Sequence, residues 1–178
     1  MNIAIRAATS SDLESLSKVC CKTFVEAYEG KGEDRPFDLA QEYVREKFNV
    51  DVLRTEIARA SVWIWVLTLD EGIIGYIKLL AESPPPFVSE KNLHQLERIY
   101  VLKTHQGLGL GKQLLRKAEM LATENGAKGI WLSTWDENLA AIEFYRKQGY
   151  EKAGSQNWEF KVRDFHYVDT DDVMVKVL

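Results

Sequence analysis

Apolar residues in this chain recur with two periods, and the switches between them mark out the elements. Ile3–Ala7 alternates with period two, as a strand does. Ser11 and Glu14, spaced as a capping box, then open a helix with Leu13, Leu16, Cys20 and Phe24 on one face, reaching about Tyr28. From Asp38 to about Ala60, Leu39, Tyr43, Phe48, Leu53 and Ile57 recur at helical intervals, with a break near Asn49. VWIWVLTL and IIGYIKLL flank Asp70-Glu71-Gly72 and predict a β-hairpin, with Trp63 and Trp65 sharing one face and packing into the core. Ser83-Pro84-Pro85-Pro86 fits no regular element and predicts a stiff, exposed connection. Strands are expected on both sides of it, so no domain boundary is placed there.

The pattern continues with a strand at Leu96–Val101 and a helix whose buried stripe is Leu110, Leu114, Ala118, Leu121 and Ala122. That helix stops at Asn125-Gly126. GIWLSTW is the next strand. Asn138 then caps a helix with Ile142 and Tyr145 on one face; Gly149 closes it and a strand begins at Tyr150. Trp158–Val162 and Asp172–Leu178 alternate as further strands, and the residues between them, 162–172, read as a long insertion. The order β-α-α-β-β-β-α-β-α-β-β predicts a mixed sheet flanked by helices, of the α/β (α+β) class.

Composition narrows the picture only a little. A chain of 178 residues suits one α/β domain with a sizeable core. A net charge of −4 turns away from nucleic acid and anionic membranes, and tolerates a cationic substrate. No run is long and apolar enough to span a membrane, and MNIAIRAA lacks the apolar stretch of a signal peptide, so a cytoplasmic home is expected. Cys20 and Cys21 are adjacent, which is neither a disulfide framework nor a metal pair. Cys20 falls on the apolar spacing and is expected to be a small buried hydrophobe. His94, His105 and His166 show no ligand spacing, and no metal is expected.

The chemistry concentrates where the Leu96–Val101 strand gives way to a helix. Gly107, Gly109 and Gly111 alternate at the helix start. Glycine lets backbone N–H groups come close to a ligand, and the first helical turn offers unpaired donors and partial positive charge, which suits a phosphate. A Walker A loop would need glycine where Gln106 stands and Ser or Thr where Gln113 stands. A dinucleotide fingerprint starting at Gly107 or Gly109 would need glycine at Lys112 or Leu114. Neither fits. The sequence instead reads Q-x-x-G-x-G from Gln106 to Gly111, directly after an apolar strand.

This stretch resembles the pyrophosphate-binding motif of the GNAT superfamily of N-acetyltransferases. A second stretch, Asn138, Ala141, Phe144, Tyr145, Gly149 and Tyr150, resembles the same family's N-x-x-A-x-x-(F/L)-Y-x-x-x-G-(F/Y) pattern. Residues 94–150 carry the motifs, and look most like the bacterial PaiA-type polyamine acetyltransferases. The resemblance implies the GNAT fold, a mostly antiparallel sheet of about seven strands in one domain over residues 1–178. It implies acetyl-CoA as co-substrate, held by Ile99, Tyr100 and Val101 along the strand, by Gln106, Gly107, Leu108, Gly109, Leu110, Gly111 and Lys112 at the turn, and by Asn138, Ala141, Phe144 and Tyr145. The expected acceptor is a small primary amine, with a polyamine favoured, attacked directly in a ternary complex. A protein or peptide acceptor, a non-catalytic acyl-CoA sensor and a homodimer all stay open.

Acetyl transfer needs a held thioester, a neutral amine, a polarised carbonyl and a partner for the departing thiolate. Unmasking a primary amine of pKa ~10.4 at pH 7 costs ~4.6 kcal/mol. A carboxylate is the usual remedy, and strand alternation puts Glu97 on the side of Ile99 and Val101. An edge-strand surface glutamate is the plain alternative. Tyr145, which the resemblance places beside the sulfur, would donate a hydrogen bond to the thiolate; full proton transfer is uphill by ~2 kcal/mol. Tyr28, Glu29 and Glu33, with Glu26 and Asp34 nearby, are the candidate acceptor wall, against the plain reading of a solvated loop.

Overall fold

The alternating N-terminal residues and the β-branched and aromatic run after Ser61 find each other directly. In the computed structural model, β1 (Ile3–Ala7) lies antiparallel to β2 (Val62–Leu69), from Ile3 opposite Leu69 to Ala7 opposite Trp65. The structure describes residues 2–28, 37–85, 87–162 and 165–178. Asp70 and Glu71 take φ values of 47° and 77°, as a two-residue primed turn requires, and lead into β3 (Gly72–Leu80).

Three helices lie between β1 and β2 in the chain: α1 (Leu13–Tyr28), α2 (Phe37–Lys47) and α3 (Val50–Ile57). The break falls where expected. Asn49 Oδ1 accepts from Val52 N at 3.0 Å, while its Nδ2 donates to the Arg45 and Glu46 carbonyls at 3.2 and 2.9 Å. One side chain ends a helix and starts the next. The start of α1 differs from the sequence reading, because a 3₁₀ turn at Ser10–Asp12 precedes it and the box belongs to Thr9 and Asp12. Thr9 N and Oγ1 donate to Asp12 Oδ2 at 2.8 and 2.9 Å, and Arg6 donates to both carboxylate oxygens at 2.7 Å. Those bonds, the Arg6 ones foremost, hold the Asp12 carboxyl well below the usual carboxylate range.

A seven-stranded sheet is ordered β1-β2-β3-β4-β5-β7-β6, where β4 is Leu93–Val101, β5 Gly129–Trp135, β6 Glu151–Val162 and β7 Phe165–Val177. Two further helices are α4 (Leu110–Glu124) and α5 (Leu139–Lys147). The chain divides into two compact units, Met1–Lys78 with Arg98–Ala118, and Leu79–Glu97 with Glu119–Leu178.

In the first unit, Leu16, Cys20 and Phe24 of α1 are buried with Val44, Phe48, Val66 and Ile77. Phe24 stacks on Tyr43 at 4.9 Å and meets Phe48 edge-on at 5.4 Å. Burial pushes the Cys20 thiol up to about 12, which leaves it inert, as its apolar spacing implies. On β2, Val62, Ile64, Val66, Leu67 and Thr68 are buried. Trp63 and Trp65 are half-buried rather than core residues, and the Lys117 ammonium lies 3.9 Å from the Trp65 ring centre.

In the second unit, β4 runs parallel to β5 over Leu93–Gln95 and Gly129–Trp131. The antiparallel β5–β7 ladder extends from Gly129 opposite Val177 to Trp135 opposite Asp171. β6 and β7 pair from Glu151 opposite Val175 to Val162 opposite Phe165, with a bulge between Lys152 and Gly154. The residues read as an insertion, 162–172, are thus mostly strand. Residues 81–85 and 87–92 form no regular element, as the prolines require, but they are not exposed throughout. Pro85 is buried, Trp131 Nε1 donates to the Ser83 carbonyl, and Val88 packs on Leu93, Trp131 and Val173.

Candidate functional site

The first unit carries the glycine-rich turn. After a 3₁₀ turn at Lys103–His105, Gly107 and Gly109 take φ values of 78° and 74°, a region that side-chain-bearing residues avoid. A Cβ at either position would meet nothing within 4 Å, so handedness rather than crowding selects glycine. Gln113 N closes the first helical bond on the Gly109 carbonyl at 3.2 Å. The N–H groups of Leu110, Gly111 and Lys112 precede that ladder, as first-turn groups do. Gln106, Gly107, Leu108, Gly109 and Lys112 are exposed. An open cradle of this kind offers its N–H groups to an anion such as a phosphate. Gln106 Nε2 donates to the Val101 carbonyl at 3.0 Å, so this side chain braces the strand end.

The strand before the turn is held tightly within its unit. Leu102 N donates to the Ile74 carbonyl at 2.9 Å, and Tyr76 and Tyr100 stack with ring centres 5.7 Å apart. Gly75 lies so close to β4 that a Cβ there would be 2.7 Å from the Tyr100 carbonyl oxygen. Val101 is buried, and Ile99 and Tyr100 are half-buried. Arg98, which the sequence reading did not single out, donates through Nη1 and Nη2 to Glu56 Oε2 and Oε1 at 2.9 and 3.0 Å. Lys78 Nζ reaches the same carboxylate at 2.5 Å.

The expected acceptor wall fares differently. Glu26 accepts the Lys103 backbone N–H at 2.9 Å, which ties α1 to the strand-turn connection. Tyr28 is the last residue of α1. Glu29, Glu33 and Asp34 lie outside the described residues.

The second unit carries Tyr145. Asn138 accepts from Ala141 N at 3.4 Å and starts α5; Gln148 N and Tyr150 N both donate to the Tyr145 carbonyl, at 2.9 and 3.1 Å. Tyr145 is buried, with the Phe144 and Tyr150 rings edge-on at 5.2 and 5.8 Å. Burial, with the Glu119 carboxylate nearby, pushes the Tyr150 hydroxyl well above its ordinary value. Glu119 is itself paired with Lys176 at 2.9 Å. Glu97 is exposed.

Register brings together residues that sequence reasoning missed. Asp171 faces Trp135 across the β5–β7 ladder and Gln156 across the β6–β7 ladder. Two positions on, Asp169 faces Trp158. Directly opposed residues of antiparallel strands share a face, and residues two apart stay on it. Asp169, Asp171, Trp135 and Trp158 thus stand on one sheet face, the one that carries Trp131 and Val173. Asp169 is buried, and Asp171 and both tryptophans are half-buried. Asp172, on the opposite face, is taken by Lys152 at 2.5 Å and Ser155 at 3.2 Å.

Known proteins bear on this arrangement. The sequence pattern of the Acetyltransferase (GNAT) family matches residues 21–150. An uncharacterised N-acetyltransferase of Lactobacillus delbrueckii subsp. lactis is 31% identical over 147 residues, 83% of this chain and 83% of that one. Human N-acetyltransferase 8B is 28% identical over 120 residues, 66% of this chain and 52% of that protein. Among solved structures, the PaiA N-acetyltransferase from Thermoplasma acidophilum, crystallised with coenzyme A, matches with a TM-score of 0.79 at 24% identity over 100% of both chains. With the fold and the family pattern agreeing, the chain belongs to the GNAT acetyltransferase family and is an acetyl-CoA-dependent N-acetyltransferase.

Proposed function

We propose that this acetyltransferase acts on a primary amine of a small polyamine such as spermidine or spermine, by direct attack in a ternary complex. The observation that carries the reading is the sheet face bearing Asp169 and Asp171 beside Trp135 and Trp158. A flexible polycation needs carboxylates for its ammonium groups and aromatic faces for its methylenes and charges. Residues two apart along a strand have Cα atoms about 7 Å from one another, so Asp169 and Asp171 offer a ligand two spaced charges. The PaiA-like character of residues 94–150 and the net charge of −4 agree with a cationic acceptor.

Acetyl-CoA supplies the activated acetyl group. The N–H groups around Gln106–Lys112 bind its pyrophosphate, and the backbone of Ile99 and Val101 orients its pantetheine arm. Glu97 takes the amine proton, directly or through water. Tyr145 donates a hydrogen bond to the departing thiolate. The setting is cytoplasmic.

Thiol release, measured with acetyl-CoA across a panel of amines, tests the acceptor. Spermidine is expected to give the highest kcat/KM, reduced by added salt. Asp171→Asn is expected to lower that value about tenfold, ~1.4 kcal/mol, while the KM for acetyl-CoA holds. Undetectable turnover of spermidine and spermine, beside brisk acetylation of a peptide or an amino acid, refutes the polyamine reading and leaves the acetyltransferase intact.

A further inference from the structure

Arg98 directly precedes the stretch of β4, Ile99–Val101, assigned above to the pantetheine arm, and its side chain turns into the protein. Its two Nη atoms grip both oxygens of Glu56 at 2.9 and 3.0 Å, and its guanidinium lies over the Phe48 ring at 4.7 Å. Glu56 sits near the end of α3, and Lys78 of β3 adds a third hydrogen bond. The Arg98, Glu56 and Lys78 side chains are only 13%, 10% and 6% exposed.

A buried ion pair is a poor stabiliser beside apolar residues of the same volume, because removing charges from water offsets their attraction. What a forked guanidinium–carboxylate pair supplies better than apolar packing is direction: two parallel bonds fix distance and angle together. The stretch that follows is tied by side chains as well. Gln106 binds the Val101 carbonyl, and Glu26 binds the Lys103 N–H. The parallel ladder to β5 covers Leu93–Gln95, so Arg98–Val101 lie beyond it. A strand end that must present backbone groups to a ligand depends on such ties for its position.

We propose that Glu56, acting through Arg98, is a positioning residue that sets the backbone of Ile99–Val101 for the pantetheine arm of acetyl-CoA. The proposal rests on the reading that this stretch of β4 receives that arm.

The test compares coenzyme A with 3′-phosphoadenosine diphosphate, which keeps the nucleotide and pyrophosphate but lacks pantetheine. Both are titrated calorimetrically into wild type, Arg98→Lys and Glu56→Gln at a temperature where melting curves show each protein folded. Arg98→Lys keeps the charge and loses the fork; it decides the matter should Glu56→Gln fail to fold. The expected result is a loss of coenzyme A affinity of about tenfold, with the fragment's affinity unchanged within about twofold. General loosening of the fold would not separate the two ligands. An unchanged ratio of the two affinities in a folded variant, whatever its Tm, overturns the proposal. Equal wild-type affinity for both ligands instead refutes the β4 reading itself, and the positioning role with it.

Discussion

Gly75→Ala adds one carbon at the point where β3 presses on the end of β4. The new Cβ would lie 2.7 Å from the Tyr100 carbonyl oxygen and 3.3 Å from both Cα and Cγ2 of Val101. Carbon and oxygen rest at about 3.3–3.6 Å, so a gap of about 0.7 Å must open. The obstructing oxygen is backbone, so no rotamer change relieves the contact. Overpacking of this kind costs about 2 kcal/mol, which in a chain of this size lowers Tm by about 4–8 °C. The atoms that must yield belong to the stretch proposed to hold the pantetheine arm, so the KM for acetyl-CoA should rise about threefold or more. Differential scanning calorimetry gives the first quantity and initial rates at 25 °C the second. A Tm within about 1 °C of wild type, together with an unchanged KM, would show that β4 is free to retreat and refute the tight-clamp picture.

Tyr145→Phe keeps the packing against Phe144 and Tyr150 and deletes one hydroxyl; kcat is expected to fall ~10²-fold with little change in the KM for acetyl-CoA. Near wild-type kcat, with chemistry shown to limit the rate, would leave Tyr145 only a packing role. For Asp12 the folded-state pKa is depressed, so its stabilisation is present above the unfolded value of about 3.9 and is lost as pH falls toward the folded one. Asp12→Asn should cost about 2 kcal/mol at pH 7 and flatten the acid limb below about pH 4. Urea melts at both pH values check this, and parallel acid losses in the two proteins would assign that limb to other carboxylates.

The parts of the site legible in the sequence are those set by local backbone chemistry. Gly107 and Gly109 are readable because a positive φ restricts the choice of residue, and Asn138 and Gly149 because caps sit at fixed offsets from a helix. The buried stripe of α4 follows from its period. What was not legible depends on partners distant in the chain. Asp169 and Asp172 are buried strand residues, so their segment looks like a polar loop until β5 and β6 supply the register. Glu56 and Arg98 are ordinary charges in sequence, 42 residues apart, and only the fold makes them a pair. The cap of α1 slipped because Thr9-x-x-Asp12 and Ser11-x-x-Glu14 both satisfy the box pattern, and Arg6 favours the first.

β7 lies between β5 and β6, although β6 is made first. During synthesis, Ile130, Trp131 and Leu132 of β5 therefore wait on one side for a neighbour that emerges only after α5 and β6. At about 5–20 residues per second that wait lasts seconds, during which β5 offers an apolar edge to any passing strand. The β6–β7 hairpin, whose pairing reaches Val162 opposite Phe165, can form from contacts close in sequence before it docks, so the missing neighbour would arrive as half of a finished ribbon rather than as a bare strand. The long ribbon thereby shortens the search by which the open edge of β5 is closed.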